Sequence, residues 1–294
     1  MRAAAGLAAA KQAELHVLHA FDFPSTSQSA ESVAPPSFQG KIEAVERDLN
    51  EQIRRTVPDT VRVASRRVEI YVAHRAIIDG ARGAAADLIV VGPHSHRRLG
   101  DEILGSTADR VLRTADVPCL VVRAPLSLPL RRVVVPFDLS PSAIGALEVG
   151  LAWAVILGAH HDASSATELT VLHIMPRAFD LPGFPFDREA IGPDLHREVE
   201  AARQRVSGAS ELDVREDLRW GETPVDEIVR VAADEQTSLL VLGTHGHGIL
   251  KRALIGSVAS GVARRASCPV LLVPPKFSSL REGEDGSGNG IISG

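Results

Sequence analysis

The 294-residue chain is long enough for one large or two ordinary domains, each able to bury a core. Hydrophobic residues make up 45% and charged residues 23%, the balance of a soluble globular protein, and a net charge of −5 leaves no basic excess for a nucleic-acid backbone. The two cysteines, Cys119 and Cys268, stand far outside C-x-x-C spacing, which argues against a disulfide or zinc framework and fits a reduced, cytoplasmic setting.

Met1-Arg2 followed by AAAGLAAA has the order of a signal peptide, but the run is alanine-rich and stops at Lys11, so export is not expected. Apolar strands are expected at ELHVLHA (14–20), DLIVVG (87–92) and PCLVV (118–122). RRVVVPFD (131–138) is a β-branched run suited to a strand buried on both faces. Ser140 caps the next helix, Pro141 takes its first turn and Gly158 ends it. That helix is apolar throughout (143–159), yet it holds Glu148 and falls short of the ~20 residues of a membrane span, so it reads as a buried helix.

The strand ELTVLHIM (168–175) leads into a Pro- and Gly-rich loop over 176–193, then a polar helix over roughly 194–207 that Gly208 terminates. LDVREDLRW (212–220) reads as a more exposed strand, and Thr223-Pro224 with Asp226 and Glu227 opens another helix. SLLVLG (238–243) is a strand, GSVASGVARRA (256–266) a helix and PVLLV (269–273) the last strand. Residues 276–294, rich in Gly, Ser and charge, read as a disordered tail. Alternating strands and helices with apolar strands require a parallel sheet covered on both faces, a doubly wound, Rossmann-like α/β domain.

The chain repeats itself. Residues 86–122 align without a gap on 237–273: Gly92 matches Gly243, Gly105 matches Gly256, Ser106 matches Ser257 and Pro118 matches Pro269, each 151 residues apart (243 − 92 = 151). Upstream, ELHVLHAFDFP (14–24) echoes ELTVLHIMPRA (168–178). The period is that of a whole domain, which makes two tandem domains, 1–125 and 130–275, and not a solenoid.

The stretch LGTHGHGILKRALIGS (242–257) fits neither a G-x-G-x-x-G dinucleotide loop nor a Walker loop ending in G-K-[ST]. Glycines at 243, 246 and 248 would let backbone amides approach an anion, and Gly256-Ser257 opens a helix whose free amides favour phosphate. Lys251 and Arg252 would add charge. In a doubly wound sheet the ligand lies beyond the carboxyl ends of the strands, where one strand ends in Asp138 and another in Gly243. These residues make a nucleotide or phosphate pocket.

G-x-x-G-x9-G-[ST] after an apolar strand resembles the ATP-binding signature of the universal stress protein family, together with the strand ending in Asp138, the VLH strand and the terminal CPVLLV. The resemblance covers residues 3–275 and both halves. It implies a strand order of 3-2-1-4-5, with ATP, with or without magnesium, held between strands 1 and 4. By motif position, Pro136, Phe137 and Asp138 would line the adenosine end and Ile174 would pack near the base. Leu242, Gly243 and Gly246 would form the loop, and Gly256, Ser257 and Val258 would hold phosphates. Leu139 departs from the family, which usually has Gly after the Asp. The resemblance also implies antiparallel pairing of the last strands, joining the two domains as a pseudo-dimer or two chains as a homodimer.

The first copy departs further. Ser95 and Arg97 stand where Gly246 and Gly248 stand in the second copy, and Gly6-Leu7-Ala8 lies on Gly150-Leu151-Ala152, an offset of 144 (150 − 6 = 144). Val133 would then fall before Met1, so the first strand and its Asp are missing. A wrongly assigned start or a truncated chain is the preferred reading and a decayed copy the alternative; either way, one competent site is expected, in the second half. The missing strand is expected to weaken the first half, or to bring its two flanking strands into direct pairing.

The pairs His94/His96 and His245/His247 supply only two donors each, so they read as solvated or phosphate-facing groups and not as metal ligands. His19 and His173 read as core histidines with a hydrogen-bonded ring, and the cysteines as inert buried thiols. Three functions remain open: a stress-response nucleotide-binding protein without strong turnover, a weak ATPase or phosphotransferase, and a ligand-free interaction module. No membrane and no nucleic acid is expected as a partner.

Overall fold

The computed structural model describes residues 1–21, 36–92, 104–159, 166–176, 188–245 and 255–275. The expected tail, 276–294, lies outside the described residues. The chain divides into two compact units, Met1–Ala86 and Asp87–Gly294.

The first unit contains α1 (Arg2–Lys11), β1 (Leu15–Phe21), α2 (Pro36–Thr56), β2 (Val63–Ile70) and α3 (Ala73–Gly83). β1 and β2 form a parallel two-stranded sheet with Leu18 opposite Arg67 and His19 opposite Val68. On α2, Leu49 and Ile53 are buried one turn apart, which fixes the helix's inward stripe. Among the described residues β1 has no strand partner besides β2. His19 is consequently exposed, its ring 6.0 Å from that of Phe21, and is not the core histidine expected.

The second unit contains β3 (Ile89–Val91), α4 (Ser106–Thr114), β4 (Cys119–Val121), β5 (Arg132–Pro136), α5 (Pro141–Leu157), β6 (Glu168–Pro176), α6 (Arg188–Arg205), β7 (Asp213–Gly221), α7 (Pro224–Asp234), β8 (Leu239–Gly243), α8 (Ser257–Arg265) and β9 (Val270–Val273). Its strands run β3-β4-β9-β8-β5-β6-β7 in one seven-stranded sheet. From β7 to β9 the sheet is parallel and its order is the 3-2-1-4-5 that the family resemblance implied. Val133, Val135, Leu240 and Leu271 on three of these strands are all fully buried, as β-branched and apolar runs covered on both faces should be.

β9 pairs antiparallel with β4, placing Leu271 opposite Leu120 and Leu272 opposite Cys119. The repeat is visible in the backbone as well. α3 and α7 share their bounds under the 151-residue register (224 − 73 = 151), and so do α4 and α8 (257 − 106 = 151). β3, however, pairs only with β4 among the described residues, and β1 and β3 belong to different sheets. Among the described residues, the strands expected to flank the missing one are not paired with each other.

Helix ends follow the capping residues. Ser140 Oγ accepts a bond from the Ala143 amide at 3.2 Å, and Thr223 Oγ1 accepts one from Asp226 at 3.2 Å. α5 packs on β5 and β8 and against α6, which is why its apolar character runs all round. Its Glu148 is buried, and Oε1 accepts a hydrogen bond from Arg205 Nε of α6 at 2.5 Å. One position differs from expectation: α6 begins at Arg188 and contains Pro193, where a loop was expected. Leu195, Val199, Ala202 and Val206 are buried along one face, and that burial outweighs the backbone bond lost at the proline.

Beside the β4–β9 junction, Asp109 of α4 accepts hydrogen bonds from Arg113 Nε at 2.8 Å and from Arg264 Nη2 of α8 at 3.1 Å. The two arginines are repeat-related (264 − 113 = 151). Burial opposes ionisation of Asp109, but the bonds and charges of Arg113 and Arg264 outweigh it and hold the carboxyl below its ordinary range. A carboxyl depressed in the folded state stabilises above its unfolded value and stops doing so as pH falls through the folded one. The stability lost in Asp109→Asn, measured by urea unfolding, should therefore be present at neutral pH and shrink towards zero as pH drops below about 4.

Candidate functional site

β5 and β8 are neighbours, with Val133 opposite Leu239 and Val134 opposite Leu240, and the chain turns to β6 on one side and β9 on the other. This is the point where strand order reverses, and the carboxyl ends there diverge into a crevice. β5 continues into Pro136-Phe137-Asp138. The Phe137 amide donates to the Leu172 carbonyl at 2.8 Å, which extends the β5–β6 ladder by one bond. His173 Nδ1 lies 2.8 Å from the Phe137 carbonyl. A carbonyl only accepts, so this nitrogen carries the proton, and the half-buried ring holds the strand end in place.

Asp138 is exposed at the crevice, with Oδ1 accepting the Ser140 amide at 3.0 Å. Between them, Leu139 takes φ 65, the left-handed conformation that a glycine adopts freely. The departure at Leu139 thus leaves the turn intact and stores strain in it.

β8 ends at Gly243, where a Cβ would stand 2.4 Å from Ser142 Oγ and 2.6 Å from the Ser142 carbonyl. Close packing against α5 is therefore a sufficient reason for glycine here, alongside the approach to an anion expected from the motif. Beyond it the Thr244 amide donates to the Val273 carbonyl at 3.0 Å, and the Gly256 amide donates to the Thr244 carbonyl at 2.7 Å. This second bond closes the neck of the loop whose residues 246–254, with the expected Gly246 and also His247, Gly248, Lys251 and Arg252, lie outside the described residues.

α8 starts at the neck. Gly256 supplies no side-chain cap, in contrast to Ser140 on α5 and Thr223 on α7, and the first α8 amide bonded back to the helix is that of Ser260. The amides of the first turn point out of the helix, at its positive end.

These elements enclose a cavity of about 590 Å³ lined by Pro136, Phe137, Asp138, Ala143, Leu172, Ile174, Pro224, Ile228, Leu242, Gly243, His245, Gly256, Ser257, Val258 and Ala259. Its size is that of a small-molecule site. Every expected site residue that lies among the described ones lines it. Reasoning from motifs did not name Ala143, Leu172, Pro224, Ile228 or Ala259, which also line the cavity. Pro224 and Ile228, four apart on α7, had a signal in the capped helix start that follows β7 at the same edge of the sheet. His245, read from the sequence as a solvated or phosphate-facing group, also lines it.

In the first copy, Gly105 (φ −57, ψ 147) repeats the backbone of Gly256 (φ −59, ψ 148), but among the described residues no strand supplies a counterpart of Asp138. The cysteines stand away from the cavity lining, and burial pushes both thiols up to about 12. His94 and His96 lie outside the described residues.

The model of the universal stress protein family matches residues 1–123 and again 129–274. The chain belongs to the universal stress protein family. It is a tandem member. A universal stress protein of Mycolicibacterium smegmatis is 30% identical over 215 residues, covering 69% of this chain and 66% of that one. One from Mycobacterium tuberculosis is 34% identical over 97 residues, 30% of this chain and 32% of its own. The matched stretches thus span less than two thirds of either relative. Among solved structures, a universal stress protein from Archaeoglobus fulgidus superposes with a TM-score of 0.63 at 19% identity, over 89% of this chain and 85% of that one. A Pseudomonas aeruginosa structure described as a universal stress protein gives 0.56 at 19% identity, over 92% and 86%. At that identity the likeness is one of fold.

Two substitutions test the turn and the close approach in this universal stress protein. Leu139→Gly should raise stability by up to about 1 kcal/mol, the relief of a left-handed leucine less the greater chain entropy of glycine. Gly243→Ala should lower it by about 1–3 kcal/mol through overpacking against α5. Urea unfolding measures both.

Proposed function

We propose that the second domain of this tandem universal stress protein binds an adenine nucleotide, ATP first, and that occupancy rather than turnover carries its stress-response role. One observation carries the reading. The cavity joins an apolar wall, Leu172, Ile174, Pro224 and Ile228, to the uncapped start of α8 at Gly256, Ser257 and Val258. A flat apolar base suits the first and a phosphate chain suits the second. Asp138, exposed between them, offers a carboxylate to sugar hydroxyls.

Among the described residues no group of three or more His, Cys, Asp or Glu could hold a metal ion. Ser257, whose hydroxyl makes no hydrogen bond to a base among the described residues, serves in this reading as a phosphate ligand and not a nucleophile. The β4–β9 pairing supports an intramolecular pseudo-dimer of the two domains. No helix among the described residues is long and apolar enough to cross a membrane, and the buried thiols suit the cytoplasm.

Mass spectrometry of small molecules released from freshly purified protein should find an adenine nucleotide, and calorimetry should give about one site per chain. Ile174→Arg should lower ATP affinity more than tenfold at unchanged melting temperature, because it places a charge on the apolar wall. Absence of binding by the parent chain would leave the ligand-free interaction module, and steady phosphate release at saturating ATP would favour the weak ATPase.

A further inference from the structure

The seven-stranded sheet ends in two edge strands of opposite character. At one end β7 alternates Asp213, Arg215, Asp217 and Arg219, and its charges are engaged: Arg215 Nη2 lies 3.0 Å from Glu235 Oε1, and Arg219 Nη2 lies 2.6 Å from Asp217 Oδ2. Charges along an edge discourage a further strand from adding to it. At the other end β3 presents Ile89-Val90-Val91 and no charge. The Ile89 amide donates to the Pro118 carbonyl at 3.0 Å, and the Val91 carbonyl accepts from the Val122 amide at 2.9 Å, so both residues turn their backbone to β4. By the alternation of a strand, the amide and carbonyl of Val90 face the other way, where no strand lies among the described residues.

The second copy shows what such an edge receives. Under the 151-residue register β3 corresponds to the middle of β8 (240 − 89 = 151), and β8 pairs parallel with β5 on the side away from β9. β5 is Arg132 followed by Val133, Val134 and Val135. At its start the Ser238 amide donates to the Arg132 carbonyl at 2.8 Å, and Ser238 Oγ accepts the Arg131 and Arg132 amides at 3.4 Å each. Asp87 holds the position of Ser238 in the first copy (238 − 87 = 151). Its carboxylate has no hydrogen bond or ion pair among the described residues, and burial holds it above the ordinary carboxylate range. A cation beside it would offset that cost.

We propose that the outer edge of β3 is a docking site for an extended segment of a partner protein, in which a basic residue precedes a run of β-branched apolar residues, added parallel to β3 as β5 is added to β8. The Val90 amide and carbonyl supply the backbone bonds. An apolar run beside the half-buried Val90 and Val91 removes more of their surface from water, and Asp87 receives the basic residue. Backbone bonding gives the affinity, and the charge at the entrance selects the segment and its direction.

Fluorescence anisotropy of the full chain with a labelled peptide of the sequence of residues 131–138, RRVVVPFD, tests the assignment. The parent should bind it saturably and should not bind the same composition in scrambled order. Val90→Pro removes an amide that faces the edge and not β4, so circular dichroism should stay unchanged while peptide affinity falls at least about tenfold. Asp87→Lys should weaken the peptide about three- to tenfold, and should bind a peptide with both arginines replaced by glutamate more tightly than the parent does. That charge exchange carries the test alone if Val90→Pro does not fold. Affinity unchanged in either folded variant overturns the proposal, because the peptide would then be replacing β5 beside β8 or binding elsewhere. No binding by the parent also overturns it. Sedimentation then shows whether a second copy holds the edge, and hydrogen exchange at the Val90 amide shows whether another part of this chain does.

Discussion

The placement of β5 between β6 and β8 is the constraint on which the second unit depends. The strand pairs with both neighbours, and Val133 and Val135 on one face and Val134 on the other are all buried, so it joins the cores on the two sides of the sheet. Because its neighbours run outward in opposite directions, the same strand creates the crevice at its own carboxyl end. Core and site are thus one feature. The first copy provides the contrast within a single chain: with no counterpart of β5 among the described residues, β1 pairs only with β2, β3 only with β4, and a histidine due to be inside lies in solvent.

Two residues carry costs that the surrounding structure absorbs. Glu148 places a carboxylate inside an apolar helix interface, where Arg205 satisfies Oε1 while Oε2 has no hydrogen-bond partner among the described residues. Such a pair contributes little net stability compared with apolar replacements, but it leaves a buried charge if only one partner is lost. Leu139 holds an unfavourable backbone conformation beside Asp138. There the adjacent Ser140 cap and the Asp138–Ser140 bond define the turn tightly enough to keep it.

Much of this architecture was legible because the sequence states it twice. A fixed register of 151 residues, together with caps at Ser140 and Thr223 and apolar strand runs, placed the strands and helices of the second unit and the ends of the crevice. What escaped depended on tertiary context. Pro193 argues locally against helix, and only the burial of Leu195, Val199 and Ala202 overrules it. His19 and His173 look alike in sequence, yet one is exposed and the other is tied to Phe137, because only the second has a complete sheet around it. The apolar wall from α7 follows from which elements converge at one sheet edge, and no motif spacing encodes that convergence.

The bond from the Gly256 amide to the Thr244 carbonyl has a consequence for the start of α8. It anchors both ends of the glycine loop to each other and, through Thr244, to β9, so the start of α8 does not depend on what lies between them. Lengthening a closed loop adds little entropy cost, since each doubling of its length costs about 0.6 kcal/mol. The amides of α8 are held at the strand ends by a backbone bond that needs no side chain.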